Sequence, residues 1–377
     1  MVRGSIEARS NGSLRVHVSI TENGIRKQIT RTAHSPQEAE RIRTKLMHQK
    51  YEGTLSEQPK GTLDQFLDRW LSDYVESNLS PSTYQGYQYI IRSHITPAIG
   101  SMALKNLHPE HLQRYYADKL KAGLSSTSVR HHHTLLHKAF KQAVQWGLMQ
   151  RNPADAVSAP RLRKAEMHTL SESDVDSVLR SSYPEYYPLF YLALFTGLRR
   201  GELLALRWSD VNLPMAEISV SRSVVPLKGG KYLIKESKTP KSRRTVALSP
   251  STCQVLLEHM EKQMANYSRL DIKFKNNTLV FCHLDNSPLK GNTVWCAWHK
   301  LMKRLGINDI RFHDTRHTMA TMMLAAGVHP KIVQERLGHS SIAITLDTYS
   351  HVAPGLQHTA ANKMDDILLK KVTNSLP

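Results

Sequence analysis

The sequence predicts a multidomain α+β protein with a small N-terminal sheet-plus-helix module, an all-α middle domain, and a mainly α C-terminal domain that holds a small antiparallel sheet. Residues 1 to about 55 alternate apolar and polar side chains with a period of two, whereas most of the later chain repeats every three to four residues. A length of 377 residues suits two to three domains. Polar or basic connections near 53–61 and 159–164 separate the three patterns.

The N-terminal module, residues 1–55, reads as a three-stranded meander followed by a helix. Its alternating stretches are separated by Asn-Gly pairs at 11–12 and 23–24, the dipeptide that two-residue hairpin turns favour. A Ser-Pro pair at 35–36 then supplies an N-cap and a first-turn proline for the helix. Because the module is basic, its sheet is interpreted either as an ordinary solvated face or as a ribbon that reads DNA.

The middle domain, residues 62–158, reads as four or five amphipathic helices. Their apolar residues recur at helical spacing, and the helices are predicted to start after Thr62, at Ser80, at His108 and at Ser125 or Ser126. The tyrosines along these helices are interpreted as core residues, with base-stacking platforms as the alternative. The three consecutive histidines at 131–133 are expected to form a solvated or DNA-facing tract rather than a metal site, because no HExxH motif occurs.

The C-terminal domain, residues 166–377, combines helices with a few short strands. Ser171 caps a first helix, and the next helix is apolar on several sides, as expected of a buried one. Three short β-prone runs are expected to pair in one antiparallel sheet: 218–221, 232–235 and 244–248. Further helices are predicted around 255–264 and 293–305.

The charge balance narrows the class of partner. With 51 Lys plus Arg against 32 Asp plus Glu, the net charge of +19 favours a polyanion. Nucleic acid is the leading candidate, and an anionic membrane surface is the alternative. No apolar run is long enough to span a bilayer, and the N-terminus lacks the apolar segment of a secretory signal. Cys253, Cys282 and Cys296 lack metal-ligand spacing, so they are expected to be reduced thiols of a cytoplasmic protein, with no metal or other cofactor implied.

Residues suited to phosphate chemistry concentrate between His313 and Tyr349. His313 and Arg316 are three residues apart, so on a helix they share a face and can point at one phosphate. His339 follows Gly338, which suits a left-handed helix cap. Tyr349 is an aromatic residue in a polar neighbourhood. Taken singly, each has an ordinary alternative as a packed, capping or surface residue.

Two upstream residues extend this set. Arg199 follows a glycine-containing bend after the apolar helix, and Glu202 lies three residues later, within reach to orient a buried guanidinium. Such an arginine either meets an anion or forms a structural pair with the carboxylate. Lys238 lies in the turn 237–242 between two predicted strands, where a lysine is either simply solvated or able to reach a minor groove and donate a proton. Arg200 is on a different face and suits a phosphate less.

Six residues resemble, in identity and order, the active site of the tyrosine recombinase family, the phage-type integrases: Arg199, Lys238, His313, Arg316, His339 and Tyr349. The segments TGLRRGEL, SKTPKSRRTVAL, HDTRHTMATMML and LGHSSIAITLDTY match the family's sequence boxes. The resemblance covers essentially the whole chain. It implies an arm-type DNA-binding module at 1–55, a core-site DNA-binding domain at 62–158, and a catalytic domain with a C-terminal helix at 166–377.

The resemblance also implies the roles of these residues. Tyr349 would attack phosphorus to form a 3′-phosphotyrosine, and the two arginines would bind the non-bridging oxygens whose charge grows in the transition state. Lys238 would protonate the leaving 5′-oxygen. His313 would assist proton transfer at the tyrosine, and His339 would hydrogen-bond a phosphate oxygen. No metal and no cofactor are implied.

The expected function is site-specific integration and excision of a mobile element or prophage through a Holliday junction. The expected partners are double-stranded DNA with core and arm sites, a homotetramer on DNA, and possible DNA-bending and directionality proteins, in the bacterial cytoplasm at the nucleoid and not at a membrane. The terminal segment 360–371 either caps its own domain or docks on a neighbouring protomer. The alternatives are a type IB topoisomerase-like enzyme, which the arm-like module disfavours, and a non-catalytic DNA-binding regulator, which leaves the six ordered residues unexplained.

Overall fold

The structure, a computed structural model, describes residues 4–22, 25–51, 61–162, 167–236, 243–349, 361–362 and 364–365. Its contacts divide the chain into two compact units, Met1–Lys164 and Ala165–Pro377. The division falls at the end of the basic connection noted in the sequence. The finer limits of three domains stay a prediction.

The N-terminal module is an antiparallel meander covered by one helix. Its strands, in the order β1-β2-β3, and its helix α1 have these bounds: β1 Ser5–Ala8, β2 Leu14–Glu22, β3 Ile25–Ala33 and α1 Pro36–Tyr51. At the first turn Gly12 has a φ of +79°, a conformation that glycine adopts without strain. Val16, Val18 and Ile29 form its small core with residues of α1. The predicted meander and helix are confirmed, while the second Asn-Gly pair, at 23–24, lies outside the described residues.

The helices of the first unit begin close to the predicted starts. The elements of its helical part, which include two π-helical and two 3₁₀ segments, are α2 Leu63–Trp70, π Leu71–Val75, α3 Glu76–Asn78, α4 Pro81–Ile90, π Ile91–Gly100, 3₁₀ Leu104–Asn106, α5 Pro109–Lys121, α6 Ser126–Gln145 and 3₁₀ Pro153–Ala156. Ser80 accepts a hydrogen bond from the Thr83 N–H at 3.3 Å, and Ser125 accepts one from Ser128 at 3.1 Å. These side chains satisfy amide groups that the first helical turn leaves unpaired.

Burial in this helical part confirms one interpretation and corrects another. Tyr115 and Tyr116 are 2% and 1% exposed, so they are core residues. The histidine tract is not solvated as a whole, because His132 is only 3% exposed and pairs its Nδ1 with the Tyr115 hydroxyl at 3.0 Å. Three consecutive helical residues point about 100° apart, so a tract of this kind cannot face solvent along its whole length.

The second unit packs its helices around α8, which is buried on nearly all sides. Its elements are α7 Glu172–Ser181, α8 Tyr187–Thr196, α9 Arg200–Ala205, β4 Val211–Asn212, β5 Glu217–Val220, β6 Arg222–Pro226, β7 Tyr232–Glu236, β8 Arg244–Ala247, α10 Pro250–Arg269, α11 Gly291–Leu305, α12 Asp314–Ala325, α13 Pro330–Leu337 and α14 Ile342–Tyr349. Phe190 of α8 packs edge-on against Trp298, with ring centroids 5.1 Å apart. An all-apolar helix of this kind is stable only when other elements surround it.

The strands of the second unit form two antiparallel sheets instead of the single one expected. One sheet has the order β4-β5-β8, and β6 pairs with β7 in a separate ribbon. The ribbon packs on α9, where Gly201 permits a close approach: a Cβ there would lie 2.8 Å from the Val224 carbonyl oxygen. An alternating pattern predicts a strand without naming its partner. The predicted turn 237–242 lies outside the described residues, and the strands on either side of it, β7 and β8, belong to different sheets and are not paired with each other.

Three further findings concern the helices, the cysteines and the possible metal ligands of the described residues. None of its helices is both long enough and apolar enough to cross a bilayer. Cys253, Cys282 and Cys296 are free thiols, each half-buried. Within the same residues, no group of three or more His, Cys, Asp or Glu side chains is placed to hold a metal ion.

Candidate active site

Four of the six predicted residues lie at helix ends in the second unit. Arg199 is the N-cap of α9, and His313 is the N-cap of α12, with Arg316 in the first turn of that helix. His339 directly follows Gly338, the left-handed residue that ends α13. Loops at helix ends present polar side chains, while the helices themselves supply the rigid support.

Arg316 explains why these helix ends meet. Its side chain is buried, and it donates from Nη1 to the Gly197 carbonyl at 2.8 Å and from Nη2 to the Leu337 carbonyl at 2.6 Å. These carbonyls belong to the C-terminal ends of α8 and α13, each of which stops at a left-handed glycine, with φ of +64° at Gly197 and +66° at Gly338. Helix C-terminal carbonyls attract a cation. Arg316 thereby holds together the turn that leads to Arg199 and the turn that leads to the second histidine.

Arg199 is paired yet accessible. Its Nη1 donates to Oε1 of Glu202 at 3.0 Å, and its backbone N–H donates to Oε2 at 2.9 Å. The expectation of a buried guanidinium is wrong, since the side chain is 44% exposed. The structural pair with the carboxylate is present, but it uses one of the guanidinium's five N–H donors and leaves the exposed group able to meet an anion.

Glu202 is held from its other side by Arg244, which is not among the six residues of the predicted site. Arg244 donates from Nη1 and Nη2 to the two carboxylate oxygens at 3.1 and 2.7 Å, and both side chains are nearly buried, at 8% and 10% exposure. Burial alone would raise the pKa of Glu202, but the hydrogen bonds and charge of Arg244, with those of Arg199, outweigh it and lower the pKa. Strand periodicity is the signal that indicates it, because Arg244 lies two residues before the buried Val246 on β8 and so faces the same side of the strand.

His339 is neutral at physiological pH. Burial lowers its pKa to about 4, aided by the positive charges of Arg316, Arg199, His317 and Arg244. Its Nδ1 shares a hydrogen bond of 2.9 Å with the Thr345 hydroxyl. A neutral imidazole fixed in this way through one nitrogen presents the other to a ligand in a defined orientation.

His313 has a similar electrostatic setting. Partial burial lowers its pKa, and so do His317, Arg316 and Arg199, while Asp314 opposes them. The rings of His313 and His317 meet edge-on with centroids 5.4 Å apart. His317 was missed as a neighbour of the site, although its spacing of four residues from His313 places both on one helix face. A neutral His313 retains the capacity to accept a proton.

The remaining two residues are less fully described. Tyr349 is the last residue of α14, and its side chain lies outside the described part of the structure, as does Lys238. Helix α14 packs against α12 and α13, and its Thr345 is fully buried against His339. The helix that ends at Tyr349 is therefore anchored to the same site.

The site as a whole is built for an anion. Three guanidiniums and two imidazoles of low pKa act on one another across a single region, as the shared electrostatic influences on His339 and His313 show. Fixed N–H donors that converge in this way stabilise negative charge, including charge that develops during a reaction.

Comparison with known proteins gives a consistent result. Residues 160–355 match the Phage integrase family, and residues 62–120 match the Phage integrase N-terminal SAM-like domain. The ICEBs1 integrase of Bacillus subtilis is 28% identical over 371 residues, which cover 97% of this chain and 100% of that protein. A Tn1549 transposon integrase in complex with a circular intermediate DNA has the same fold, with a TM-score of 0.68, 21% identity, and coverage of 82% of this chain and 100% of that one. A lambda integrase tetramer bound to a Holliday junction matches with a TM-score of 0.57 and 18% identity, over 89% of this chain and 95% of that one.

Proposed function

Because this chain belongs to the phage integrase family and is a tyrosine-type site-specific recombinase, we propose that it integrates and excises a mobile element or prophage, with Tyr349 as the nucleophile. The observation that carries the assignment of the site is the convergence of Arg199, His313 and His339 around the buried Arg316. These four residues come from three separate segments of the chain, and the hydrogen bonds of Arg316 join the ends of α8 and α13 that lead to Arg199 and His339.

The proposed reaction exchanges one phosphodiester for another. The Tyr349 oxygen attacks phosphorus, its proton passes to His313, and the bond from phosphorus to the 5′-oxygen breaks. Lys238 gives a proton to that 5′-oxygen, and the DNA 3′-end stays linked to the enzyme as a phosphotyrosine. Because the covalent intermediate keeps the energy of the broken bond, attack by a second 5′-hydroxyl rejoins the strands without ATP.

The remaining side chains lower the barrier electrostatically. In this proposal Arg199 contacts a non-bridging phosphate oxygen directly, and Arg316 contributes charge while it fixes the two turns. His339 donates a hydrogen bond from its second nitrogen to another phosphate oxygen. Charged donors held rigidly at the reacting group are worth several kcal/mol, on the order of 3 for one such donor.

The proposed partners follow from charge and from the neighbours. A net charge of +19 suits double-stranded DNA, bound at core sites by the helical domain and at arm sites by the N-terminal module. Strand exchange through a Holliday junction requires four active sites, and a lambda integrase tetramer bound to such a junction shares the fold. DNA-bending and directionality proteins, and docking of the segment 360–371 on a neighbouring protomer, belong to the same proposal. Of that segment, only 361–362 and 364–365 are described.

The nucleophile is tested with a nicked suicide DNA that traps the covalent intermediate. Tyr349→Phe is expected to shift this DNA in a gel like wild type and to form no adduct, because the attacking oxygen is absent. Tyr232→Phe is the matched control, since Tyr232 is an exposed tyrosine of the same unit, and it should form the adduct normally. An adduct with Tyr349→Phe would disprove the assignment.

The wild type separates the other classes of protein. A non-catalytic DNA-binding regulator would form no adduct with any substrate. A type IB topoisomerase-like enzyme would relax supercoiled DNA that carries no attachment site. The proposed recombinase should form adducts at the ends of the element and should join two such ends.

A further inference from the structure

Arg244, at the start of β8, contacts two parts of the candidate site at once. We propose that Arg244 is a positioning residue that holds Arg199 and the His339 turn in their reactive arrangement. The inference rests on the proposed function, because the roles of Arg199 and His339 belong to it. Arg244 is not assigned a contact with the phosphate.

The first contact runs through Glu202. Arg244 binds both carboxylate oxygens, at 3.1 and 2.7 Å, and Glu202 in turn accepts the Arg199 side chain at 3.0 Å and its backbone N–H at 2.9 Å. The carboxylate thus has a buried guanidinium on one side and an exposed one on the other. A paired, planar geometry of this kind restricts the rotation of the carboxylate, and so of the exposed guanidinium bound to it.

The second contact runs to the end of α13. Arg244 donates from Nε to the Arg336 carbonyl at 2.9 Å. The Arg336 side chain in turn donates from Nη1 to the Ala247 carbonyl of β8 at 2.9 Å and from Nη2 to the Phe195 carbonyl at 2.8 Å. Two arginines therefore exchange hydrogen bonds between strand and helix. They fix α13 at the residue just before Leu337, whose carbonyl Arg316 binds.

Close packing at Gly338 shows how tightly Arg244 fits this turn. A Cβ at Gly338 would lie 3.0 Å from both Cδ and Nη1 of Arg244, and the φ of +66° would strain any larger residue. His339 is the next residue along the chain. Displacement of Arg244 therefore removes one support of the turn that aims the His339 ring, which Arg316 also holds through the Leu337 carbonyl.

Arg244 uses three nitrogens on three acceptors, which only a guanidinium can do. Lysine carries its three donors on one nitrogen, so it cannot reproduce the paired contact with Glu202 and also reach the Arg336 carbonyl in this geometry. Arg244 also lies six residues after Lys238 in the sequence, so the strand that follows the proposed proton donor begins at this network.

The first experiment compares Arg244→Met with Arg243→Met in single-turnover cleavage of the suicide DNA. Arg243 is the matched control, because it is the adjacent arginine, is 61% exposed, and only approaches Glu236 at 3.7 Å. Arg244→Met is expected to slow cleavage by about ten- to a hundredfold, the loss typical of a charged hydrogen-bond partner. Arg243→Met should stay within about threefold of wild type. Equal rates for the two variants would overturn the proposal.

A second measurement separates positioning from general damage. A methylphosphonate at the scissile position removes the negative charge that Arg199 neutralises, so a defect that acts through Arg199 should shrink at least several-fold on this substrate. In the double variant, Arg199→Ala with Arg244→Met should be about as slow as Arg199→Ala alone. The same penalty for Arg244→Met on both substrates, or penalties that multiply in the double variant, would refute action through Arg199.

The controls distinguish failure of the role proposed for Arg199 from failure of the positioning role proposed for Arg244. If Arg199→Ala cleaves like wild type, the assignment of Arg199 in the proposed function fails, whatever Arg244 does. If Arg244→Met does not fold, Glu202→Gln takes its place, because it keeps the shape of the side chain and removes the charge between the two arginines. Glu202→Gln should then show the same substrate-dependent defect, and an equal defect on both substrates would count against the network.

Discussion

At the scale of single residues, Arg316 and Arg199 of the candidate site differ in environment. Arg316 is 2% exposed and donates to two helix-end carbonyls, whereas the Arg199 side chain is 44% exposed and rests on one carboxylate. A buried guanidinium is stable only when its donors are satisfied. Arg316 therefore holds the site together and adds positive charge to it, whereas Arg199 is mainly available to bind the ligand.

This difference predicts that replacement of Arg316 lowers stability much more than replacement of Arg199, although both replacements abolish activity. Arg316→Met should lower the free energy of unfolding of the second unit by about 3 kcal/mol, because buried carbonyls lose their donor. Arg199→Met should lower it by less than about 1 kcal/mol, since an exposed ion pair contributes little. Both should abolish most cleavage. Urea unfolding checks the contrast, and an equal loss of stability in the two variants would contradict it.

At the scale of elements, one buried histidine, His132, makes the packing of helix α6 depend on its protonation state. His132 is almost fully buried, stacks against Tyr115 and shares a hydrogen bond with its hydroxyl. Burial, with the nearby His94, Lys119 and His131, lowers its pKa to about 4. The neutral ring is therefore part of the core of the helical domain at physiological pH.

The packing of α6 should consequently weaken in acid. His132 takes up a proton near pH 6.5 in the unfolded chain but only near pH 4 in the folded chain. The contribution of the neutral ring to the free energy of unfolding is therefore complete above pH 6.5 and is lost as the pH falls toward 4. His132→Gln should reduce this loss by about 2 kcal/mol. Hydrogen exchange of α6 peptides, corrected for intrinsic rates, measures it in the full-length chain.

His131→Gln is the matched control for this prediction. His131 neighbours His132 on the same helix but faces solvent. Its charge is the smallest of the influences on the His132 pKa, so its replacement should change the pH dependence of α6 far less than His132→Gln does. Identical pH profiles of α6 hydrogen exchange for wild type and His132→Gln would show that protonation of His132 does not destabilise the folded chain.

At the scale of the whole molecule, the excess positive charge is shared between regions with different folds. The N-terminal meander, the helical domain and the C-terminal unit each carry basic residues, and the net charge is +19. Long-range attraction to DNA is additive over such regions, and it weakens as salt screens it. Several regions can therefore bind one DNA molecule at separate places.

The N-terminal module should consequently have a DNA site of its own. A chain truncated to residues 61–377 should protect the core site in a footprint and lose a second, separate protected region that the full-length chain covers. Loss of basic residues that contact phosphate should also make binding less sensitive to salt. Coincident footprints of the two chains would show that the module adds no separate site.

Local chemistry was enough to predict most elements. Asn-Gly pairs, serine caps and prolines act on their immediate neighbours, so the N-terminal meander and the starts of α1, α4 and α6 were confirmed close to the expected positions. The pairing of β7 with β6, and not with β8, was not predictable in this way. It depends on the contact of the ribbon with α9, which no local pattern encodes.

For the candidate site, the sequence by itself determined which reactive groups the chain possesses and in what order: Arg199, Lys238, His313, Arg316, His339 and Tyr349. Only the tertiary structure decided that Arg316 is buried between two helix ends, that Arg199 is exposed, and that Arg244 completes the network. The reason is distance along the chain. Arg316 bonds a carbonyl 119 residues away, and Arg244 bonds carboxylate and carbonyl oxygens 42 and 92 residues away. Side-chain identity is a property of the sequence, whereas burial and partnership arise only when distant elements pack together.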